Sequence, residues 1–85
     1  SMAKNAYSIV HPMFLKVVKT INSSENLEHI TASYAMIENF LTYIEKSEDL
    51  GVFPVGYNRA VLATYYGQEL TRMIHHQIGV CSSET

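Results

Sequence analysis

Four histidines, one cysteine and eight acidic residues are the side chains in this sequence able to bind a metal or shuttle protons. The stretch RMIHHQIG, Arg72 to Gly79, looks most like chemistry, because it carries His75 and His76 side by side. A helix can offer two ligands to one ion at a spacing of three or four, because such residues share a face. Adjacent residues point about 100° apart. His75 and His76 therefore cannot chelate as a pair, and no His, Cys, Asp or Glu stands at 71, 72, 79 or 80 to complete either half. A looser cluster is conceivable: an antiparallel hairpin would bring His29 to the end that holds His75 and His76, with Glu25, Glu28 and Cys81 nearby. Imidazoles, carboxylates and a thiol together could hold zinc, yet the spacing matches no compact ligand motif. The expectation is no metal and no cofactor. A metal-binding protein using His29, His75 or His76 is kept as a third reading.

Nucleophilic catalysis is less supported. Cys81 stands in the closing VCSSET, read here as a flexible tail over residues 81–85, whereas a reactive thiol needs a fixed electropositive or His-paired setting. The serines sit in caps and tail, and Gly51, Gly56, Gly67 and Gly79 are isolated rather than gathered into a phosphate-binding loop. The sequence is expected not to be an enzyme.

The charge balance limits partners. Six Lys and Arg against eight Asp and Glu give a net charge of −2, and Lys4, Lys16, Lys19, Lys46, Arg59 and Arg72 are scattered. Nucleic-acid binders carry a basic stripe that exchanges counterions with phosphates, so nucleic acid is disfavoured as a partner. A small DNA-associated regulator remains the alternative, with Asn58, Arg59, Thr64, Gln68 and Arg72 on its reading helix. Against it, Arg59 and Arg72 fall on different sides of that helix. No apolar run approaches the roughly 20 residues that span a bilayer, so no membrane association is expected. With a lone cysteine, no intrachain disulfide can form, which points to a reducing, cytoplasmic location.

The elements that position these side chains are helical. At 85 residues, 47% hydrophobic, the chain suits one small domain over 2–80, with Ser1 read as an appended residue. A chain this short buries only about 60% of its unfolded surface, so self-association would help it. Val10, Met13, Phe14, Val17, Val18 and Ile21 share one face of a first helix over about 11–22, with Pro12 in its first turn. Leu27, Ile30, Tyr34, Ile37, Leu41 and Ile44 form a heptad-like seam on a second helix over about 24–48, capped by Ser24. Met36, Phe40 and Tyr43 add a neighbouring stripe. Gly51 then suits a left-handed cap, and the apolar GVFPV segment should fold over one end of the bundle. Asn58 or Tyr57 opens a third helix over about 57–78, stopped by Gly79. Its inner face carries Leu62, Tyr66, Leu70, Met73 and Ile74, with the small residues Ala60, Ala63 and Gly67 set against the bulky Met36, Phe40 and Tyr43. The expected fold is all-α: a small three-helix unit with two long antiparallel helices and a shorter N-terminal helix.

Two surfaces then stand out. Val61, Tyr65, Glu69, Arg72 and His76 form a stripe turned away from the core, and Tyr and Arg are enriched among interface hot spots. Met36, Phe40, Tyr43 and Phe53 form a patch that either packs within one chain or meets a second copy across a two-fold axis. The resulting expectation is a small non-catalytic helical interaction or regulatory module, self-associating as a homodimer and binding a protein whose identity the sequence withholds.

Overall fold

The computed structural model describes residues 5–83 and consists of three helices. They are α1 (Ala6–Asn22), α2 (Leu27–Lys46) and α3 (Arg59–Ser83). The all-α three-helix expectation holds: α2 and α3 form the main antiparallel pair, and α1 packs against both. The only strand-like pairing among the described residues is an isolated bridge between Asn5 and Val52.

Helix α1 begins five residues earlier than the proline signal suggested. Asn5 is the N-cap, its side chain accepting from Tyr7 N at 2.8 Å, while Ala6 N donates to Val52 O at 2.8 Å. Two of the amides that a helix start leaves without intrahelical partners are thereby satisfied. Pro12 consequently lies inside the helix rather than in its first turn. A proline there removes the hydrogen bond to the carbonyl four residues back, and here that carbonyl belongs to Ser8. Both Ser8 and Pro12 are exposed, so water can replace the missing donor. The buried side of α1 is Ala6, Val10, Phe14, Val17 and Ile21.

Helix α2 is shorter than expected at both ends, and its N-cap is Asn26, not Ser24. Asn26 Oδ1 accepts from His29 N at 2.9 Å, and His29 Nδ1 accepts in turn from Glu25 N at 3.0 Å. The seam is also rotated from the expected one. Ile30, Ser33, Ile37, Phe40 and Ile44 are buried, whereas Tyr34 is 44% exposed and Leu27 68% exposed. The observed spacings are still three and four. A polar residue, Ser33, occupies a seam position that a purely apolar pattern skips. Burying a hydroxyl costs free energy unless it finds a partner, and Ser33 Oγ has one in Ser24 Oγ at 3.1 Å.

The connection between α2 and α3 covers one end of the bundle, as its apolar character suggested. Its anchor is Leu50, completely buried, with Phe53 half-buried beside it. Gly51 does adopt a left-handed φ of 74°, but four residues beyond the true cap, Ser47, whose N–H donates to Tyr43 O. A tight turn follows, closed by Tyr57 N donating to Pro54 O at 3.0 Å, with Gly56 supplying the positive φ (85°) and Val55 fully exposed at the tip. Asn58 caps α3 as expected, its Oδ1 accepting from Val61 N.

Helix α3 does not stop at Gly79. It runs to Ser83, and Cys81, assigned from sequence to a flexible tail, is a buried helical residue. The cause is tertiary. Gln77 Nε2 donates to Ser24 O at 2.7 Å, and one turn later Cys81 Sγ lies 3.4 Å from the same carbonyl. Docking at both positions offsets the helix penalty of Gly79, about 1 kcal/mol relative to Ala. Glu84 and Thr85, the rest of the expected tail, lie outside the described residues, as do residues 2–4 of the expected domain.

Candidate functional site

The end of the bundle beneath the α2–α3 connection holds the most distinctive surface. Tyr7 from the first turn of α1, Pro54 and Tyr57 from the connection, and Leu62 and Tyr65 from α3 line a pocket of about 340 Å³. Each element is held there by local chemistry. Asn5 fixes the start of α1, the Pro54–Tyr57 turn points Tyr57 back toward the helices, and Asn58 starts α3 one turn before Leu62. Tyr7, Tyr57 and Tyr65 are each about half exposed, at 49%, 51% and 54%.

From the rim an aromatic stack runs inward to the buried Tyr66. The Tyr7 ring lies over His11 with centroids 4.7 Å apart, and His11 lies over Phe14 at 5.5 Å. Phe14 meets Tyr66 at 4.7 Å, Tyr66 meets Phe40 edge-on at 5.5 Å, and Tyr65 meets Tyr66 edge-on at 5.4 Å. Such offset and edge-on geometries suit the ring quadrupoles. Tyr66 is completely buried, and its hydroxyl sits 3.1 Å from His11 Nδ1. Which of the two donates depends on the imidazole tautomer. Burial pushes the Tyr66 phenol up to about 12 from its ordinary 10.0, with smaller contributions from the neighbouring Tyr7 and Tyr65 phenols. The phenol therefore remains protonated throughout the physiological range.

Arg59 belongs to the frame of this end and not to its surface. Its Nη1 donates to Ile44 O at 3.0 Å, satisfying a carbonyl in the last turn of α2, and its guanidinium sits 5.9 Å from the Phe53 ring centroid. A helix C-terminus attracts a cation. Arg59 was one of the side chains a DNA-reading helix would have needed, and it is already engaged within the fold.

The sequence-derived stripe on α3 is outward-facing as expected. Val61 is 42% exposed, Tyr65 and His76 are exposed, and Arg72 pairs with the partly exposed Glu69 at 2.7 Å. The opposite face, Tyr66, Leu70 and Ile74, is completely buried. Tyr65 joins the stripe to the tyrosine pocket, because Ala60, Val61, Thr64, Tyr65 and Gln68 line a shallow depression that continues from it. Tyr7 and Tyr57 were not recognised from sequence as part of a site. The spacing of Tyr7 and His11, one helical turn apart, was a signal for Tyr7, while nothing in the local pattern foretold that Tyr57 would face the helices.

The patch on α2 divides differently. Phe40 is buried within the single chain, in contact with Phe14 and Tyr66, so it belongs to the core. Met36, Tyr43 and Phe53 are half-buried against that core. Met36 and Tyr43 border a groove between α1 and α2 together with Met13, Lys16, Val17 and Asn39. The expected pairing of small residues with bulky ones is likewise altered. Gly67 faces Leu41, where an added Cβ would meet Leu41 Cδ1 at 3.4 Å, and Ala60 is exposed.

At the far end, the histidines do not converge into a site. His29 serves as a cap acceptor, while His75 and His76 are exposed. Glu25, Glu28 and Cys81 do share a depression with Asn26, Leu27 and Ser82. Among the described residues, no three of His, Cys, Asp and Glu form a group that could hold a metal ion. Nor is any described helix long and apolar enough to cross a membrane. No protein-family model, curated protein or solved structure matches the chain.

Proposed function

We propose that this chain is a small, non-catalytic helical interaction module that presents the outer stripe of α3 to a protein partner. The observation that carries the reading is the exposed Val61–Tyr65 surface, which continues into the pocket of Tyr7, Tyr57 and Tyr65. Half-exposed aromatics bring large contact area at small entropic cost, and Tyr and Arg are the residues that dominate interface energetics. The stripe is also rigidly presented. The other face of α3 is buried through Tyr66, Leu70 and Ile74, and both ends of the helix are tied down, so few degrees of freedom would be lost on binding. A cytoplasmic setting belongs to the same reading, since the single Cys81 is free and buried. So does self-association, with the half-buried Met36 and Tyr43 along the α1–α2 groove as the contact. Light scattering across a concentration series checks that part, and a monomer at every concentration removes it.

The partner face is tested by site-specific photocrosslinking in an extract of the source organism. A crosslinker at Val61 should trap a defined protein, one at Leu15, exposed on α1, should not, and Tyr65→Ala should abolish the Val61 product. Equal products from both positions, or indifference to Tyr65→Ala, would defeat the proposal.

A further inference from the structure

The lining of the pocket at the loop end specifies a ligand chemistry. Among the described residues its walls are three tyrosines, Pro54 and Leu62, and none of these carries a formal charge. At about 340 Å³ it falls at the small end of the range for ligand sites, enough for a head group and too small for a large substrate. Among the described residues an anion would find no cation in the lining, and the amides of the two helix starts that border it are already engaged: Ala6 N and Tyr7 N donate to Val52 O and Asn5 Oδ1, and Val61 N and Leu62 N donate to Asn58 Oδ1 and Asn58 O. A primary ammonium or a guanidinium would bring several N–H donors that need acceptors, with no carboxylate among the lining side chains to receive them. A proline-rich strand calls for successive aromatic ridges, but the depression beyond Tyr65 is lined by Ala60, Val61, Thr64 and Gln68. A quaternary ammonium meets the remaining requirements. It has no N–H to satisfy, its charge is spread over methyl groups, and the electron-rich faces of tyrosine rings attract it.

We infer that the pocket formed by Tyr7, Tyr57 and Tyr65 binds a quaternary, alkylated ammonium head group. The wall is stiff enough for this role. Tyr7 is braced by His11 at 4.7 Å and Tyr65 by Tyr66 at 5.4 Å, so two of the three rings are already held before a ligand arrives. Tyr57, on the exposed turn, completes the enclosure. The charge complementarity is between ring quadrupole and diffuse cation, and no ion pair is needed. The inference shares Tyr65 with the partner face on α3 but goes beyond it, because Tyr7 and Tyr57 lie outside that stripe.

The test is an NMR titration of the full chain, at constant ionic strength, with choline, with its neutral isostere 3,3-dimethylbutanol, and with guanidinium. Choline should shift the signals of Tyr7, Tyr57 and Tyr65 and bind more tightly than both controls. Tyr57→Leu keeps apolar bulk but removes the ring, and should weaken choline about three- to tenfold, the range expected for one cation–π contact. Tyr57→Phe should retain most of the affinity, and circular dichroism of all variants should match the parent. Peptides carrying trimethyl-lysine or unmodified lysine identify the source: preference for the trimethylated peptide over choline indicates a modified protein, and the reverse indicates a free head group. Equal binding of the neutral isostere, tighter binding of guanidinium, absence of choline binding, or an unchanged affinity in Tyr57→Leu would each overturn the inference. None of these outcomes bears on crosslinking from Val61, so the two proposals fail separately.

Discussion

The two ends of this bundle are closed by opposite means. At the α1–α2 turn, a network of polar groups draws three elements together. Ser24 O receives Gln77 Nε2 and Cys81 Sγ from α3, while Ser24 Oγ donates to Thr20 O and meets Ser33 Oγ of α2. No buried side-chain nitrogen or oxygen among the described residues is left without a partner. At the other end, Leu50 and an aromatic stack do the sealing, and three tyrosines remain half exposed above it. Polar groups that pair with one another hold these three elements in register. Aromatic packing can stop short of the surface, leaving the Tyr7, Tyr57 and Tyr65 rings half exposed. The proposed function accordingly puts recognition at the aromatic end, while the polar end holds the helices together.

The most damaging way to disturb that contrast is to take away the aromatic end's anchor. Leu50→Ala should cost about 3 kcal/mol, the usual scale for emptying a fully buried leucine site. Urea unfolding checks the loss. Hydrogen exchange should show protection falling first in the 47–58 connection and in the first turn of α1, which Val52 O holds, while Ser24 and Ser33 stay protected. Uniform loss across both ends would mean that they are not separable.

Next in size is an alkaline effect confined to the aromatic end. Tyr66 has a folded pKa of about 12 against 10.0 for the free phenol. Between those values the unfolded chain gives up the proton that the folded chain keeps, so stability falls as pH rises. The contribution is complete below pH 10 and is lost as pH rises through about 12. A two-unit shift corresponds to roughly 2 to 3 kcal/mol. Tyr66→Phe should flatten this part of the pH–stability curve, measured by denaturant titration against pH. If it leaves the slope unchanged, Tyr66 is not the group responsible.

How much of the contrast was readable in the sequence depends on the type of interaction. The helices themselves followed from apolar periodicity: Val10, Phe14, Val17 and Ile21 on α1, and Leu62, Tyr66, Leu70 and Ile74 on α3, all lie in the core. The polar end was misread because its logic is tertiary. Ser24 resembled a cap, Ser33 was passed over in the seam, and Gly79 resembled a stop. Each changes meaning once Gln77 and Cys81 reach the Ser24 carbonyl across more than 50 positions of sequence. Local patterns cannot encode that contact. The outer stripe of α3 was legible because exposure on a single helix follows directly from its period. The tyrosine pocket was not, because it draws on three separate segments and on a turn whose direction is set by Gly56.

A smaller change tests the polar end alone. Gln77→Leu removes one of two donors to Ser24 O and should cost about 1 kcal/mol, a typical net hydrogen bond. Cys81 still contacts the carbonyl, so the helix should loosen rather than dissolve. Amides of residues 80–83 should exchange faster, bringing the end of α3 closer to the Gly79 stop that the sequence suggested. The tyrosine signals should not move. Shifts at Tyr7 or Tyr57 would show that the two ends are coupled through α3.

The smallest expected effect on stability is the most informative about function. Tyr57 is half exposed on a surface turn whose hydrogen bond runs from its backbone N–H to Pro54 O, not through its side chain. Tyr57→Ala should therefore change unfolding free energy by less than about 0.5 kcal/mol, as surface substitutions away from caps and cores do. The turn should persist, because Gly56 still supplies the left-handed residue and the backbone bond is intact. What it should lose is the third wall of the pocket, and with it the capacity to distinguish choline from a neutral molecule of the same shape. Gln77→Leu should do the reverse, lowering stability while leaving that discrimination intact. A large loss of stability in Tyr57→Ala would place the ring in the structural frame with Leu50, and the division between a sealed end and a receptive one would no longer hold.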